Sequence, residues 1–218
     1  MTKPYSFVES LLYDRIIAPA AAQLVMQLPL QLEAENARGG SALDVGCGGG
    51  QIMLDFAQRF PGLRFQGVDL SAAQVKRATT RTKSFGTRVS ACEGSALQIP
   101  FRKDSFDIVY SIASIKHWTD QAKGIQECLR VLKPGGRLLI AEVDRACKLS
   151  DVEKFVTRWK IPAPLRLGAV AMFRTWVAGN SLDVPEARAL AAASGLQGWQ
   201  VETVAGTPAW LLQGNKLA

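Results

Sequence analysis

The stretch Ala42-Leu43-Asp44-Val45-Gly46-Cys47-Gly48-Gly49-Gly50 decides how this chain is read. Apolar residues around Asp44 suit a buried parallel strand, and glycines at 46, 48 and 50 let the backbone turn sharply and approach a ligand where side chains would clash. A helix following such a turn aims its free N–H groups at the same space. A dinucleotide loop for hydride transfer wants Gly-x-Gly-x-x-Gly, and position 51 is Gln. Asp44 is unfavourable beside a pyrophosphate dianion and suits a ligand that carries an ammonium and a sulfonium. Taken alone, the glycines also fit an ordinary tight turn.

Working outward, Phe65-Gln66-Gly67-Val68-Asp69-Leu70 places a second acid at the end of a second apolar strand, at the spacing of a carboxylate that accepts from ribose hydroxyls. Three more segments follow: Ala91 to Phe101, Ser105 to Ser111, and Leu129 to Glu142 with its Lys133-Pro134-Gly135-Gly136 turn. In this order the five motifs resemble the class I S-adenosylmethionine-dependent methyltransferases. The nearest likeness is to the small-molecule branch that includes ubiquinone and menaquinone C-methyltransferases and natural-product O- and N-methyltransferases. The resemblance is strong over residues 41–142 and weak over the C-terminal strand pair.

The resemblance implies that S-adenosylmethionine is the cofactor and S-adenosylhomocysteine the product. Gly46, Cys47, Gly48 and Gly50 would line the methionine moiety and Asp44 would orient its amino group. Asp69 would hold the ribose, Leu70 would cover one adenine face, and Ser95 and Ala96 would meet the adenine edge. The backbone near Ser111 would close the site beneath the sulfonium. Many such enzymes have Asp where this chain has Ser95, and an uncharged hydroxyl holds the adenine amino group more weakly.

Sequence periodicity gives an α/β fold. Ile52, Phe56 and Phe60 lie at helical spacing after the first strand, Val75, Ala78, Thr82 and Phe85 after the second, and Ala122, Ile125, Leu129 and Leu132 after the fourth. Alternating strands and helices predict a mostly parallel, doubly wound sheet covered on both faces. Asp183 and Pro185 mark a helix start and Gly195 its stop. Trp199 to Val204 and Ala209 to Gln213 read as a strand hairpin around Gly206-Thr207-Pro208. The resemblance adds a Rossmann-like, seven-stranded order with an antiparallel last strand.

At 218 residues the chain is expected to form one domain. Its expected parts are an N-terminal helical cap (1–40), a cofactor-binding core (41–142), a lid insertion (143–180), and a last helix with strand hairpin (181–218). The lid would hold two helices separated by Ile161-Pro162-Ala163-Pro164. In similar methyltransferases such an insertion and an N-terminal helix, here Phe7 to Ile17, close over the methyl donor. Tyr13 is a substrate candidate on that helix, and Trp159, Phe173 and Trp176 would form an apolar wall for a planar acceptor. Simple packing of the lid explains the same aromatics equally well.

The apolar run from Ile16 to Leu30 is broken by Pro19, Gln23, Gln27 and Pro29 and is too short for a bilayer span, while Glu9, Asp14 and Arg15 spoil a secretory signal. A cytoplasmic location is expected. The four cysteines are scattered without Cys-x-x-Cys spacing, so no metal site or disulfide framework is expected.

The net charge of +7 raises a nucleic-acid reading. Its densest run, Lys76, Arg77, Arg81, Lys83 and Arg88, reads as a solvated helix face. Lys154, Arg158, Lys160, Arg166 and Arg174 flank the expected substrate entrance and would either favour an anionic or carboxylated acceptor or only keep the protein soluble. Amino-methylating enzymes of nucleic acids carry an Asn/Asp/Ser-Pro-Pro-aromatic turn after the fourth strand, where this chain has Ser111-Ile112-Ala113-Ser114. No cysteine follows a proline, as a cytosine C5 enzyme would need, and Ser111 replaces the acid of metal-dependent catechol-type enzymes.

The expected function is therefore metal-free, in-line methyl transfer to a small molecule, with a hydroxyl of an aromatic or natural-product acceptor favoured. N- or C-methylation, an RNA or protein substrate, and a noncatalytic cofactor-binding subunit stay open. The single histidine, His117, is the candidate base, since an imidazole takes a proton from a phenol near neutral pH. It would equally serve to cap the next helix or line the cofactor pocket. Lys116 and Trp118 on the same loop are substrate candidates, Lys116 for substrate charge.

Overall fold

In the computed structural model, which describes residues 28–159 and 161–218, Asp44 lies in β1 (Ser41–Val45), a strand with neighbours on both sides. Parallel to it run β2 (Arg64–Asp69), β3 (Val89–Glu93), β4 (Phe106–Ile112) and β5 (Leu132–Val143). The hairpin strands β6 (Gln197–Thr203) and β7 (Ala209–Asn215) complete a seven-stranded sheet of order β3-β2-β1-β4-β5-β7-β6. β7 is antiparallel to both neighbours, so the last strand inserts between β5 and β6. The expected Rossmann-like, mostly parallel sheet with an antiparallel last strand is what the chain forms.

Helices cover both faces, because strands buried on two sides need apolar partners on each. On one face lie α1 (Leu28–Arg38), α2 (Gln51–Arg59) and α3 (Ala72–Thr82), which bury Leu32, Phe56 and Ala78. The helices after β5, α5 (Leu149–Val156) and α6 (Arg166–Met172), the latter continued by a wider π-type turn over Phe173–Ala178, join the same cluster through Phe155 and Phe173. The other face holds α4 (Gln121–Val131) and α7 (Val184–Ser194), with Trp118, Ile125, Ala191 and Trp210 in its core. Trp210 is fully buried and its indole N–H donates to the Leu182 carbonyl, so its large apolar area is removed from water without stranding a donor.

Local chemistry fixes several boundaries. α7 starts on a capping box in which Asp183 accepts from the Glu186 N–H and Glu186 accepts from the Asp183 N–H, and it stops at Gly195 in the left-handed region. At the lower end of the sheet, Asp107 accepts from the Ser41 N–H and hydroxyl and from Lys133, tying β4 to the starts of β1 and β5.

Two readings of the helices change. In α4 the buried face is Gly124, Ile125, Cys128 and Val131 and Ala122 is exposed, because the Trp118 ring lies where a side chain at Gly124 would be. The basic run on and after α3 is not simply a solvated face. The Arg88 guanidinium donates to the carbonyls of Ala57, Phe60 and Leu63, a cation at the C-terminus of α2, and Arg81 donates to the Gly49 carbonyl of the glycine loop.

Candidate functional site

The glycine loop is fixed from below and from the side. Its first amides, Gly46 N–H and Cys47 N–H, both donate to the Val68 carbonyl at the end of β2. Gly46 has φ 83°, and a Cβ there would stand 2.0 Å from the Ser114 hydroxyl oxygen, so the loop after β4 presses directly on it. Gly48 differs: its φ is 52°, and a Cβ would meet no atom of the described residues within 4 Å. Open space therefore begins above Gly48. The helix α2 starts immediately beyond, at Gly50, without any side-chain cap on its free amides.

Two carboxyls flank that space. Asp69 accepts from the Gly48 N–H at 2.9 Å and from the Ser71 N–H at 2.9 Å, one bond on each oxygen, which leaves each oxygen a lone pair for a further donor. Burial nevertheless raises its pKa, with those two amides pulling it down. Asp44 is 3 % exposed. Burial, then the neighbouring Asp69 charge, push its pKa up to about 8 against a pull from the Tyr110 phenol. Among the described residues, no lysine or arginine acts on it.

The remaining cofactor candidates divide. Leu70 is 58 % exposed at the tip of β2, an apolar surface beside Asp69. Ser95 and Ala96 are half-buried in a turn in which the Ser95 hydroxyl oxygen accepts from the Leu97 N–H. That turn is stapled to α4, because Arg130 donates to the Ile99 and Phe101 carbonyls while Glu127 accepts from the Ile99 N–H. The Cys47 thiol turns toward β2 and packs on Gly67, so only its backbone faces the loop's open side. Ser111 is fully buried and its hydroxyl donates to the Val45 carbonyl, which locks β4 to β1 and leaves that side chain no ligand role.

The acceptor-side residues are more changed. Tyr13 and the helix expected over Phe7 to Ile17 lie outside the described residues. Lys116 is not a free cation, since its ammonium lies 2.9 Å from Glu142 Oε1 in a pair almost sealed from solvent. Trp118 is buried beneath α4, with its indole N–H donating to the Ser114 hydroxyl, and forms no wall of an open site. Trp159 and Phe173 are buried against each other and Phe155, the three rings 5.5 to 6.1 Å apart, so packing accounts for both. Trp176 is 75 % exposed on the helix surface. The hydrophobicity of these aromatics does not distinguish a packing surface from a lining one.

His117 ends the short helical turn Ile115–His117 that follows β4, three residues beyond Ser114, whose hydroxyl touches Gly46. Burial and then the Lys116 charge lower its pKa, opposed by Glu142, so the imidazole is neutral at pH 7. Ser114, Tyr110 and Glu142 escaped the sequence reading as site-forming residues. Only the strand register and a contact 26 residues apart in sequence bring them in. Among the described residues, no group of three His, Cys, Asp or Glu could hold a metal ion, and no helix is long and apolar enough to cross a membrane.

The residues fit S-adenosylmethionine: open backbone at Gly48, an uncapped helix start, a carboxyl with no cation beside it among the described residues, and a second carboxylate with free lone pairs. Known proteins agree. Residues 43–140 match the family model described as a methyltransferase domain. The chain is 36 % identical over 138 residues to methyltransferase GfsG of Streptomyces halstedii, covering 62 % of this chain and 49 % of that protein. It is 38 % identical over 134 residues to 2-methyl-6-phytyl-1,4-hydroquinone methyltransferase of a Synechocystis strain, covering 57 % of this chain and 42 % of that one. The chain thus spans less than half the length of each of these two relatives. A crystal structure of a SAM-dependent methyltransferase from Aquifex aeolicus superposes with a TM-score of 0.68 at 16 % identity, covering 98 % of this chain and all of that one, which bears on the fold alone. Residues 43–140 thus carry a methyltransferase domain, on a fold shared with S-adenosylmethionine-dependent methyltransferases.

Proposed function

We propose that this chain transfers the methyl group of S-adenosylmethionine to a hydroxyl of a small aromatic or natural-product acceptor, by in-line displacement without a metal, in the cytoplasm. The observation that carries the reading is Asp44, a buried carboxyl beside an open glycine loop on which no cation among the described residues acts. A ligand ammonium supplies the missing charge. The relative named for a hydroquinone supports a small aromatic acceptor.

In this reading Gly46, Gly48 and Gly50 admit the methionine moiety, Asp44 takes its amino group, Asp69 accepts from the ribose hydroxyls, and Leu70 with Ser95 and Ala96 frames the adenine. Bound S-adenosylmethionine supplies an electrophilic methyl carbon on a sulfonium that leaves as a neutral thioether. The protein's task is to hold a hydroxyl oxygen in line with that carbon and exclude water, an arrangement worth about 7–11 kcal/mol of barrier. His117, neutral at pH 7, would take the hydroxyl proton of an acceptor that receives the methyl group. The 143–180 insertion acts as a lid over this centre.

Calorimetry with S-adenosylmethionine and S-adenosylhomocysteine tests the cofactor. Release of S-adenosylhomocysteine across phenols, hydroquinones, amines and structured RNA, with and without chelator, then tests the acceptor. Binding of both cofactors and chelator-insensitive O-methylation of a phenol are expected. A methyl group found on carbon or nitrogen, a rate abolished by chelator, or salt-sensitive turnover only on RNA overturns the acceptor assignment.

A further inference from the structure

Tyr110 lies in the middle of the molecule with its hydroxyl beside the Asp44 carboxyl, close enough to lower that group's pKa. It is fully buried, and its phenol oxygen has no hydrogen bond of good geometry. Parallel pairing of β1 with β4 puts Tyr110 directly opposite Asp44, on the same face of the sheet, so the phenol stands alongside the carboxyl. The ring itself is held: Phe56 of α2 meets it edge-on at 5.6 Å, and its backbone pairs with Leu139 of β5 on the other side. Phenylalanine would fill the same space without burying an unsatisfied hydroxyl. A phenol kept at that place has an acceptor in some state of the protein, and the carboxyl beside it is the nearest chemistry.

We propose that Tyr110 is a positioning residue for cofactor binding, whose hydroxyl donates to the Asp44 carboxylate and aims it at the ligand ammonium once the glycine loop is occupied. The inference rests on the assignment of Asp44 to that ammonium made above. Among the described residues no cation acts on Asp44, so it has little reason to ionise: Asp69 on β2 repels the charge, and the Cys47 thiol in the loop and Cys92 on β3 offer no compensation. Arg81 of α3 is directed to the Gly49 carbonyl. A ligand ammonium ionises the carboxyl, and an ionised carboxylate in a dry setting needs donors. The Tyr110 hydroxyl is then a donor already in place, and it costs no rearrangement because the strand pairing and Phe56 have fixed it. Below about pH 8 the carboxyl gives up a proton as the ligand binds, consistent with its raised pKa.

The test is calorimetric titration of S-adenosylhomocysteine into the wild type, Tyr110→Phe, Asp44→Asn and the double variant. Measurements run from pH 6 to 9 in two buffers of different ionisation enthalpy, so that released protons are counted. Tyr110→Phe keeps the ring and its packing, and its melting temperature is expected to be unchanged or higher. Affinity should fall about tenfold, the size of a lost hydrogen bond to a charged group, with proton release shifted to higher pH. In the Asp44→Asn background the same substitution should change nothing. Wild-type affinity and pH profile in Tyr110→Phe, or an equal loss in the Asp44→Asn background, overturns the positioning role. If Asp44→Asn alone binds as tightly as the wild type, the assignment of Asp44 fails. A weakened Asp44→Asn beside a normal Tyr110→Phe defeats only the role of Tyr110.

Discussion

Lys116 Nζ lies 2.9 Å from Glu142 Oε1, with the lysine side chain 7 % exposed and the glutamate fully buried. Glu142 also accepts from the Val143 N–H. The pair ties the loop after β4 to the end of β5, and so fixes the segment that carries Ser114 and His117. Lys116→Met leaves a buried carboxylate without its cation and should cost about 3–5 kcal/mol of stability. Adding Glu142→Leu should recover much of that loss. Urea unfolding of the single and double variants measures both, and additive losses would refute a coupled pair.

Gly46 and Gly48 should respond differently to the same methyl group. At Gly46 it collides with Ser114, while at Gly48 it enters open space and only the positive φ, worth about 1–2 kcal/mol, opposes it. Gly46→Ala should therefore lower the melting temperature markedly, with partial recovery from Ser114→Gly. Gly48→Ala should stay folded and lose affinity for S-adenosylhomocysteine. Thermal melts paired with calorimetry separate the two, and equal effects on both observables would contradict the geometry.

Asp44 makes the cofactor-free protein less stable toward alkaline pH. Its folded pKa of about 8 lies above the ordinary carboxyl value of 3.8, so the native state holds a proton that the unfolded chain has lost. The associated stability is complete below about pH 4, declines as pH rises, and is gone above about pH 8. Asp44→Asn should flatten this slope and melt higher than the wild type at pH 8. Denaturant midpoints at pH 5, 6.5 and 8 without cofactor provide the check. A wild type whose Asp44-dependent stability rises over that range would reverse the sign.

His117→Ala should reduce turnover on a phenolic acceptor by about 10²–10⁴-fold and leave cofactor affinity nearly intact. Because burial and Lys116 lower the imidazole pKa, the acidic limb of the wild-type rate profile should fall below pH 6.5. An unchanged rate would remove His117 from the chemistry.

What could be read from the sequence was local. Asp183, Pro185 and Gly195 delimit α7 because capping and left-handed glycine act within one turn. Asp44, the glycines and Asp69 are legible for the same reason, since each sits at a strand end whose apolar run precedes it. The rest depended on partners distant in sequence. Lys116 reads as a spare cation until Glu142 is brought beside it, and Arg88 reads as a surface charge until the end of α2 is placed under it. Trp118, Trp159 and Phe173 have the same hydrophobicity whether they line a cavity or fill a core. Tyr110 became conspicuous only when the β1–β4 register set it opposite Asp44.

The place of β7 bears on how the chain is made. Its partner β5 pairs from Arg137 to Val143 with residues Ala209 to Asn215, and Lys216 reaches back to Asp104 and to the Leu132 carbonyl. During synthesis, β5 leaves the ribosome about seventy residues before the strand that covers it. Until then a long apolar strand presents an unpaired edge, the kind of surface on which nascent chains aggregate. Cotranslational folding of this protein thus has a vulnerable interval that closes only when β7 emerges, and chaperone dependence should be concentrated there.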